Sequence, residues 1–210
     1  MFELDGKVAI VTGAGSERGL GQAIAKSLAE NGASIVVADL DLEGAEERAA
    51  EIRKSGKKAI AAEVNVTSEE SVKEMVEKAV SEFGKVDILV NNAGITQPIK
   101  VIDTTIEDWE RIMNVNLTGT FLATKAVLPS MLDQEFGRII NISSVSAKRG
   151  GGVFGGAHYS AAKAGMLGFA KALAREVSPS GITVNSLAPG LCATDIRGGL
   201  EEEEERQKIW

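Results

Sequence analysis

Tyr159 and Lys163 stand four residues apart in the run Tyr-Ser-Ala-Ala-Lys, whose composition favours helix, so the phenol and the ammonium share one helix face. Such a pair can turn a phenol into a proton donor and acceptor. An isolated tyrosine titrates near ~10, and an adjacent ammonium together with a cationic ring stabilises the phenolate and is expected to bring its pKa toward neutrality. Tyrosine and lysine at this spacing also occur on ordinary helical surfaces, so the reading depends on the rest of the chain. Upstream, Asn141-Ile-Ser-Ser-Val-Ser146 offers three serines, any of which could hold a reacting oxygen or merely cap a turn.

The elements that would bring a partner to this pair start at the other end. Residues 7–12 are a short apolar strand running into Gly13-Ala-Gly15-Ser-Glu-Arg18-Gly19-Leu20-Gly21, after which Ile24, Ala25 and Leu28 mark one face of a helix. Strand, glycine-rich turn and helix N-terminus make a site for a pyrophosphate, because glycines let the backbone approach and the first N–H groups of the helix are free to meet an anion. A second apolar strand, 33–38, ends at Asp39, where a carboxylate can hold a ribose hydroxyl. Together these features predict nucleotide binding.

With these motifs on the page, the chain resembles the classical short-chain dehydrogenase/reductase family, and the resemblance covers nearly the whole sequence. Thr12-Gly13 with Gly19-Leu20-Gly21 is similar to the family's cofactor turn, Asn91-Asn92-Ala93-Gly94 to its strand-four motif, and Asn116 to its helix asparagine. Ser144, Tyr159 and Lys163 match the catalytic serine, tyrosine and lysine, and Pro189-Gly190 with Thr194 matches the motif after strand six. The resemblance implies a doubly wound, Rossmann-type α/β domain spanning 1–210, without the family's last helix and strand. It also implies hydride transfer between a nicotinamide dinucleotide and a secondary alcohol or ketone. Tyr159 would be general acid/base, Lys163 would lower its pKa and reach the nicotinamide ribose, Ser144 would hold the substrate oxygen, and Asn116 would anchor a proton-relaying water. Asn65 with Val66 would meet the adenine. Ser143 is the weaker candidate beside Ser144.

Cofactor choice follows from charge. Asp39 would repel a 2′-phosphate and Leu40 offers it no cation, which favours NAD; Arg18, a basic residue before the second glycine, pulls toward NADP. Five residues separate Gly13 from Gly19 where the family usually has three, so a bulged turn is expected there.

Composition sets the frame. With 210 residues, 44% of them hydrophobic, the chain can bury one large core, and one cysteine, Cys192, excludes an internal disulfide. The net charge of −7 gives no general attraction to nucleic acid or anionic lipid, and no apolar run approaches the ~20 residues of a membrane span. A cytoplasmic protein acting on a small molecule is expected, with no metal, since one histidine and one cysteine do not make a ligand shell. Apolar runs near 7–12, 33–38, 57–62, 86–90, 137–142 and 182–187 alternate with helical stretches, which argues for a parallel sheet covered on both faces. In 69–83 the stripe Val72, Met75, Val76, Ala79, Val80, Phe83 reads as core.

Small residues at Ala161, Ala162, Ala164, Gly165, Gly168 and Ala172 permit close helix approach, and the resemblance implies a homodimer or homotetramer. His158, although beside Tyr159, points about 100° away on a helix and reads as a loop, interface or substrate contact. Glu201 to Glu205 reads as a solvated charge run. The substrate pocket is expected between 95–101, the segment 148–156 with Phe154 as its one large apolar contact, and the residues after Gly190. Lys148 and Arg149 could meet an anionic substrate. Two further readings stand beside the dehydrogenase: reduction of a 3-oxoacyl thioester with NADPH, and a nucleotide-binding scaffold without chemistry.

Overall fold

The structure is a computed structural model that describes residues 3–151, 155–194 and 196. Each apolar run becomes a strand: β1 Val8–Thr12, β2 Ser34–Asp39, β3 Ala59–Glu63, β4 Ile88–Asn91, β5 Gly137–Ile142 and β6 Ile182–Leu187. All six pair in parallel in the order β3-β2-β1-β4-β5-β6, so the chain reverses direction across the sheet between β1 and β4. The carboxyl ends of those two strands, Thr12 and Asn91, therefore flank the crevice where open α/β sheets bind ligands. The strands need no alternation, since helices cover both faces; all five residues of β1 are buried.

The helices are α1 Leu20–Glu30, α2 Leu42–Lys54, α3 Glu69–Phe83, α4 Ile106–Met113, α5 Gly119–Asp133, the short α6 Ser146–Arg149 and α7 Ala157–Val177. Their starts obey capping chemistry: the side chains of Asp41, Ser68 and Thr105 accept N–H bonds at the beginnings of α2, α3 and α4. Gly84, at φ 83°, closes α3 in the left-handed region, where glycine costs least. One core layer joins α3, α5 and α7 to the sheet through Met75, Leu89, Met131 and Ile139; the other joins α1 and α2 through Ala25, Val37, Ala45 and Ala49. The stripe on α3 is narrower than expected. Val72, Met75, Val76 and Ala79 are buried, but Val80 is 38% exposed.

Of the small residues on α7, Ala162 is buried and Gly165 packs against the Leu117 side chain, whereas Ala161, Ala164, Gly168 and Ala172 face solvent. Phe154, expected as an apolar contact of the substrate pocket, and the acidic run Glu201 to Glu205 lie outside the described residues. Among the described residues, no helix is long and apolar enough to cross a membrane, and no group of three His, Cys, Asp or Glu could hold a metal ion.

The amino ends of the central strands are fixed by one buried carboxylate. Asp87, 1% exposed, accepts the Val8 backbone N–H at 2.9 Å, and its oxygens lie 3.4 Å from Lys7 Nζ and 3.1 Å from Lys85 Nζ. Phe136 is sandwiched between Lys7 and Arg138, whose cationic groups lie 3.6 and 4.3 Å from its ring centroid. Removing the carboxylate would strand the Val8 N–H and leave two ammonium groups side by side. Asp87→Ala is expected to lower the unfolding free energy by about 2–4 kcal/mol, read as the urea midpoint; a change within the error of the midpoint would refute the role.

Candidate active site

A single cleft of about 950 Å³ runs across the carboxyl ends of the strands. At its centre the carboxyl end of β1 is bolted to that of β4. Asn92 Nδ2 donates to the carbonyls of Thr12 and Gly13 at 2.9 and 2.8 Å, and Thr12 Oγ1 accepts the N–H groups of Asn92 and Ala93, both at 3.1 Å. Gly13, at φ 65°, lies so close to Ala93 that a Cβ would stand 2.7 Å from its Cα, and a Cβ on Gly21 would stand 2.4 Å from Gly13 O. The turn can lie flat against the strand ends only because both positions lack side chains. Gly19, which lines the cleft, precedes α1 without a side-chain cap, and the first turn of α1 carries no acidic residue, so no carboxylate of the helix competes with an anion there.

Gly13, Gly19, Leu20, Asp39, Asn65, Val66, Asn92, Ala93, Gly94, Tyr159, Lys163, Pro189, Gly190, Thr194 and Ser144 all line this cleft, as the sequence reading expects. Gly15, Arg18, Gly21 and Asn116 do not line it. Gly15 instead supports it from behind: its N–H donates to Asp39 Oδ2 at 2.7 Å, and a Cβ there would stand 3.0 Å from Asp39 Cβ. The turn thus packs on the acid through Gly15. Asp39 Oδ1 accepts the Asp41 N–H at 3.1 Å. Arg18 is exposed on the turn. Asn65 Oδ1 is taken up by Thr67, accepting its N–H at 3.0 Å and its hydroxyl at 2.8 Å, so the amide nitrogen is the group of Asn65 left for a ligand.

Tyr159 and Lys163 project from the first two turns of α7 into the middle of the cleft. Lys163, 3% exposed, donates from Nζ to Ile142 O at 2.8 Å at the end of β5, and burial lowers its pKa from 10.5 to about 8. Ser143 and Ser144 divide their work. Ser143 Oγ donates to the Lys163 backbone carbonyl at 2.8 Å, which hangs α7 from β5, whereas the Ser144 hydroxyl accepts the Ser146 N–H at 3.1 Å and lines the cleft beside Tyr159. The expected drop in the Tyr159 pKa is not what the protein itself produces. Burial raises it, and only the Ser144 hydrogen bond opposes that; Lys163 Nζ stands 5.8 Å from the ring centroid and spends one donor on Ile142.

Asn116 lies in one turn of π-helix, Asn114–Thr118, between α4 and α5. Nothing in the sequence marks that turn, which rotates the side chain inward. Asn116 Nδ2 donates to Ile112 O at 2.9 Å and to Ile95 O at 3.0 Å, leaving Oδ1 buried and without a partner. A Cβ on Gly94 would stand 2.7 Å from this oxygen and 3.2 Å from Lys163 Nζ. The glycine thus leaves a spot above its Cα from which a water-sized group could touch both. The cleft is also lined by Ile95, Thr96, Arg149, Gly150, Gly151, Leu191, Cys192 and Ile196. Lys148 and Val101 are exposed and do not line it. Sequence reasoning missed the apolar lining residues Val64 and Val115, whose alternation inside a strand end and a helix carries no signal beyond core.

Comparison with known proteins agrees with this geometry. The family model for short chain dehydrogenase matches residues 7–205. An uncharacterised short-chain type dehydrogenase/reductase of Sinorhizobium fredii is 44% identical, the match covering 98% of this chain and 82% of that protein. The 3-oxoacyl-[acyl-carrier-protein] reductase FabG of Aquifex aeolicus is 45% identical over 96% of this chain and 80% of its own length. A crystal structure from Sinorhizobium meliloti 1021, provisionally described as a short-chain alcohol dehydrogenase, superposes with a TM-score of 0.91 at 37% identity, covering 99% of this chain and 81% of that one. Sheet order, cleft and relatives coincide: the chain belongs to the short-chain dehydrogenase/reductase family of oxidoreductases.

Proposed function

We propose that this chain moves a hydride between NAD(H) and a secondary alcohol or ketone, with Tyr159 as general acid/base. The observation that carries the reading is the convergence of Ser144, Tyr159 and the buried Lys163 ammonium on one cleft. The dinucleotide fits the residues present: the glycine cradle, the open N-terminus of α1 and the unpartnered Asn116 Oδ1 each offer what a pyrophosphate or a bound water needs. When bound, it supplies or accepts the hydride. The Tyr159 hydroxyl, oriented by Ser144, gives its proton to a carbonyl oxygen as that oxygen gains charge, or takes one from an alcohol. The Lys163 ammonium, with two N–H groups beyond the one given to Ile142, can hold a ribose hydroxyl and return a proton through a water on Asn116 Oδ1.

Asp39 supports NAD over NADP, because its carboxylate is held at the cleft by two backbone N–H groups and would meet a 2′-phosphate as a like charge. Reduction of a 3-oxoacyl thioester is the second reading, favoured by the 3-oxoacyl-[acyl-carrier-protein] reductases among the relatives at 44–45% identity.

NADH is expected to bind at least about tenfold tighter than NADPH, and Asp39→Ala to narrow that gap, in fluorescence titrations. Equal or better binding of NADPH by the wild-type chain would overturn the NAD assignment and favour the thioester reading. Tyr159→Phe is expected to keep NADH affinity and to lower kcat by roughly 10²–10⁴-fold on a panel of secondary alcohols, ketones and 3-oxoacyl thioesters. Unchanged turnover in that variant would remove Tyr159 from the chemistry, and a wild-type chain that binds NADH but turns over nothing would leave a scaffold.

The lysine carries a pH signature. Its folded-state pKa lies below its value in the unfolded chain, so burying the ammonium costs stability below about pH 8, and the cost is relieved as the pH rises from about 8 to 10.5. Lys163→Met, uncharged and of similar length, is expected to gain about 1–3 kcal/mol in unfolding free energy at pH 7 while losing turnover. The gain should shrink by about pH 10. A Met variant less stable than wild type at pH 7 would refute the cost assigned to the ammonium.

A further inference from the structure

His158 is the one histidine of the chain, and it is 1% exposed beside Tyr159 with no part in the chemistry above. Its partner comes from the other wall of the cleft. His158 Nε2 lies 3.3 Å from Gln97 Oε1, and Gln97 Nε2 donates to Asp108 Oδ1 at 2.8 Å. Asp108, in the first turn of α4, is held in its turn by Thr105, whose hydroxyl donates to Asp108 Oδ2 at 3.1 Å and accepts the Asp108 N–H at 3.1 Å. The direction of the chain of bonds is fixed by its carboxylate end. An ionised carboxylate only accepts, so the Gln97 amide nitrogen must face Asp108 and its carbonyl must face His158; the imidazole is then the tautomer with its proton on Nε2. Nδ1 is a buried acceptor with no partner, pressed against Gly156, where a Cβ would stand 2.6 Å from it. A proton placed there would be a buried donor with nothing to receive it, and burial accordingly lowers the His158 pKa below its usual value.

These bonds meet where the site needs rigidity. Residues 95–100 form no helix or strand, yet Ile95 and Thr96 line the substrate side of the cleft. The segment is tied to the start of α7 through the backbone as well, where the Gly156 N–H donates to Gln97 O at 2.9 Å. Next to that tie, Gly155 is wedged between the ring of Tyr159 and Thr96: a Cβ would stand 2.6 Å from Tyr159 Cδ1 and 3.2 Å from Thr96 Oγ1. Ile112 of α4 packs with Tyr159 and Ala162, so α4 meets the catalytic helix directly through its apolar face and indirectly from Asp108 through Gln97.

We propose that Gln97, His158 and Asp108 form a latch that fixes the wall 95–100 against α7, and that through this wall they are positioning residues for Tyr159. The latch deepens the hydride-transfer reading and rests on it for its catalytic consequence. It acts on the substrate side and on the phenol, not on the dinucleotide half of the cleft, and this separates it from a general effect on folding. Glutamine at 158 would preserve it, since its amide nitrogen reaches as far as Nε2 and donates in the same direction, whereas leucine fills the space without a donor.

The test compares Gln97→Met, His158→Leu and His158→Gln with the wild-type chain by hydrogen–deuterium exchange, NADH affinity and turnover. In the Met and Leu variants the segment 95–100, read at its amides other than Pro98 and at the Gly156 amide that donates to Gln97 O, is expected to exchange about tenfold faster, as the loss of about one hydrogen bond implies. Their kcat should fall about tenfold, the same free energy lost from the transition state, with the NADH Kd within about twofold of wild type. His158→Gln should stay near wild type in all three. Wild-type exchange at 95–100 in Gln97→Met would overturn the latch, as would His158→Gln behaving like His158→Leu, or NADH affinity falling in step with kcat. Exchange needs no turnover, so a wild-type chain inactive on every substrate would sink the hydride-transfer reading while the exchange data still decide the latch.

Discussion

The constraint on which this structure turns is the burial of one ammonium group. Lys163 carries a positive charge to a point 3% exposed to solvent, where desolvation alone is a penalty of several kcal/mol, and its lowered pKa is the mark of that penalty. What surrounds it makes the position tolerable. The Ile142 carbonyl at the end of β5 accepts one N–H, Gly94 withholds a side chain that would crowd the nitrogen, and Asn116 turns a bare amide oxygen toward the same spot. Ser143 fixes the lysine's own carbonyl to the strand end, so the helix cannot slide away from the sheet without losing a buried hydrogen bond. A replacement by an apolar residue would ease folding, and the charge is therefore better understood through what it does in the cleft than through stability.

Bringing Asn116 to that ammonium takes an irregular helix. In a regular α-helix running from α4 into α5 the side chain would stay on the register of its neighbours. The single π turn bonds the Gly119 N–H to Asn114 O, five residues back, and widens the backbone there. The amide nitrogen of Asn116 then reaches the carbonyls of Ile112 and Ile95 together. One local defect thus links α4, α5 and the loop after β4, and its cost is carried by packing against α7, where Gly165 lets Leu117 approach. The polar spine behind the sheet follows the same logic: Asn91 Nδ2 donates to Thr124 Oγ1 and to Asn141 Oδ1, satisfying buried groups across β4, β5 and α5.

Much of this was legible from residue types. Strand positions followed from short apolar runs bounded by glycine or charge, and the observed strands begin or end within two residues of those runs because turns such as Gly56 and Gly84 set their limits. The cleft residues followed from glycines that only close backbone approach explains, at Gly13 and Gly21 above all. Three things were not legible. Desolvation depends on the surroundings in space, so the direction of the Tyr159 shift could not be inferred from the nearby lysine. The π turn has no signature, since Asn-Val-Asn-Leu-Thr reads as ordinary helix. The pairing of His158 with Gln97 spans 61 residues and rests on the fold alone.

The long glycine turn and Asp39 are best understood as one device. A carboxylate at the end of β2 could swing among several rotamers, and a swinging charge discriminates poorly between a hydroxyl and a phosphate. Here Gly15 in the turn donates its N–H to one carboxylate oxygen, and the Asp41 N–H engages the other. An ionised carboxylate offers about four acceptor positions, so two remain for the hydroxyls of a ribose while the side chain is held in place. A side chain at position 15 would crowd Asp39 Cβ and Ala45 N, which ties glycine at 15, the acid at 39 and the start of α2 into one packed unit. The turn thus carries a backbone donor to the acid, and under the proposed NAD preference the repulsion of a 2′-phosphate would draw its strength from a charge that has been denied the freedom to move aside.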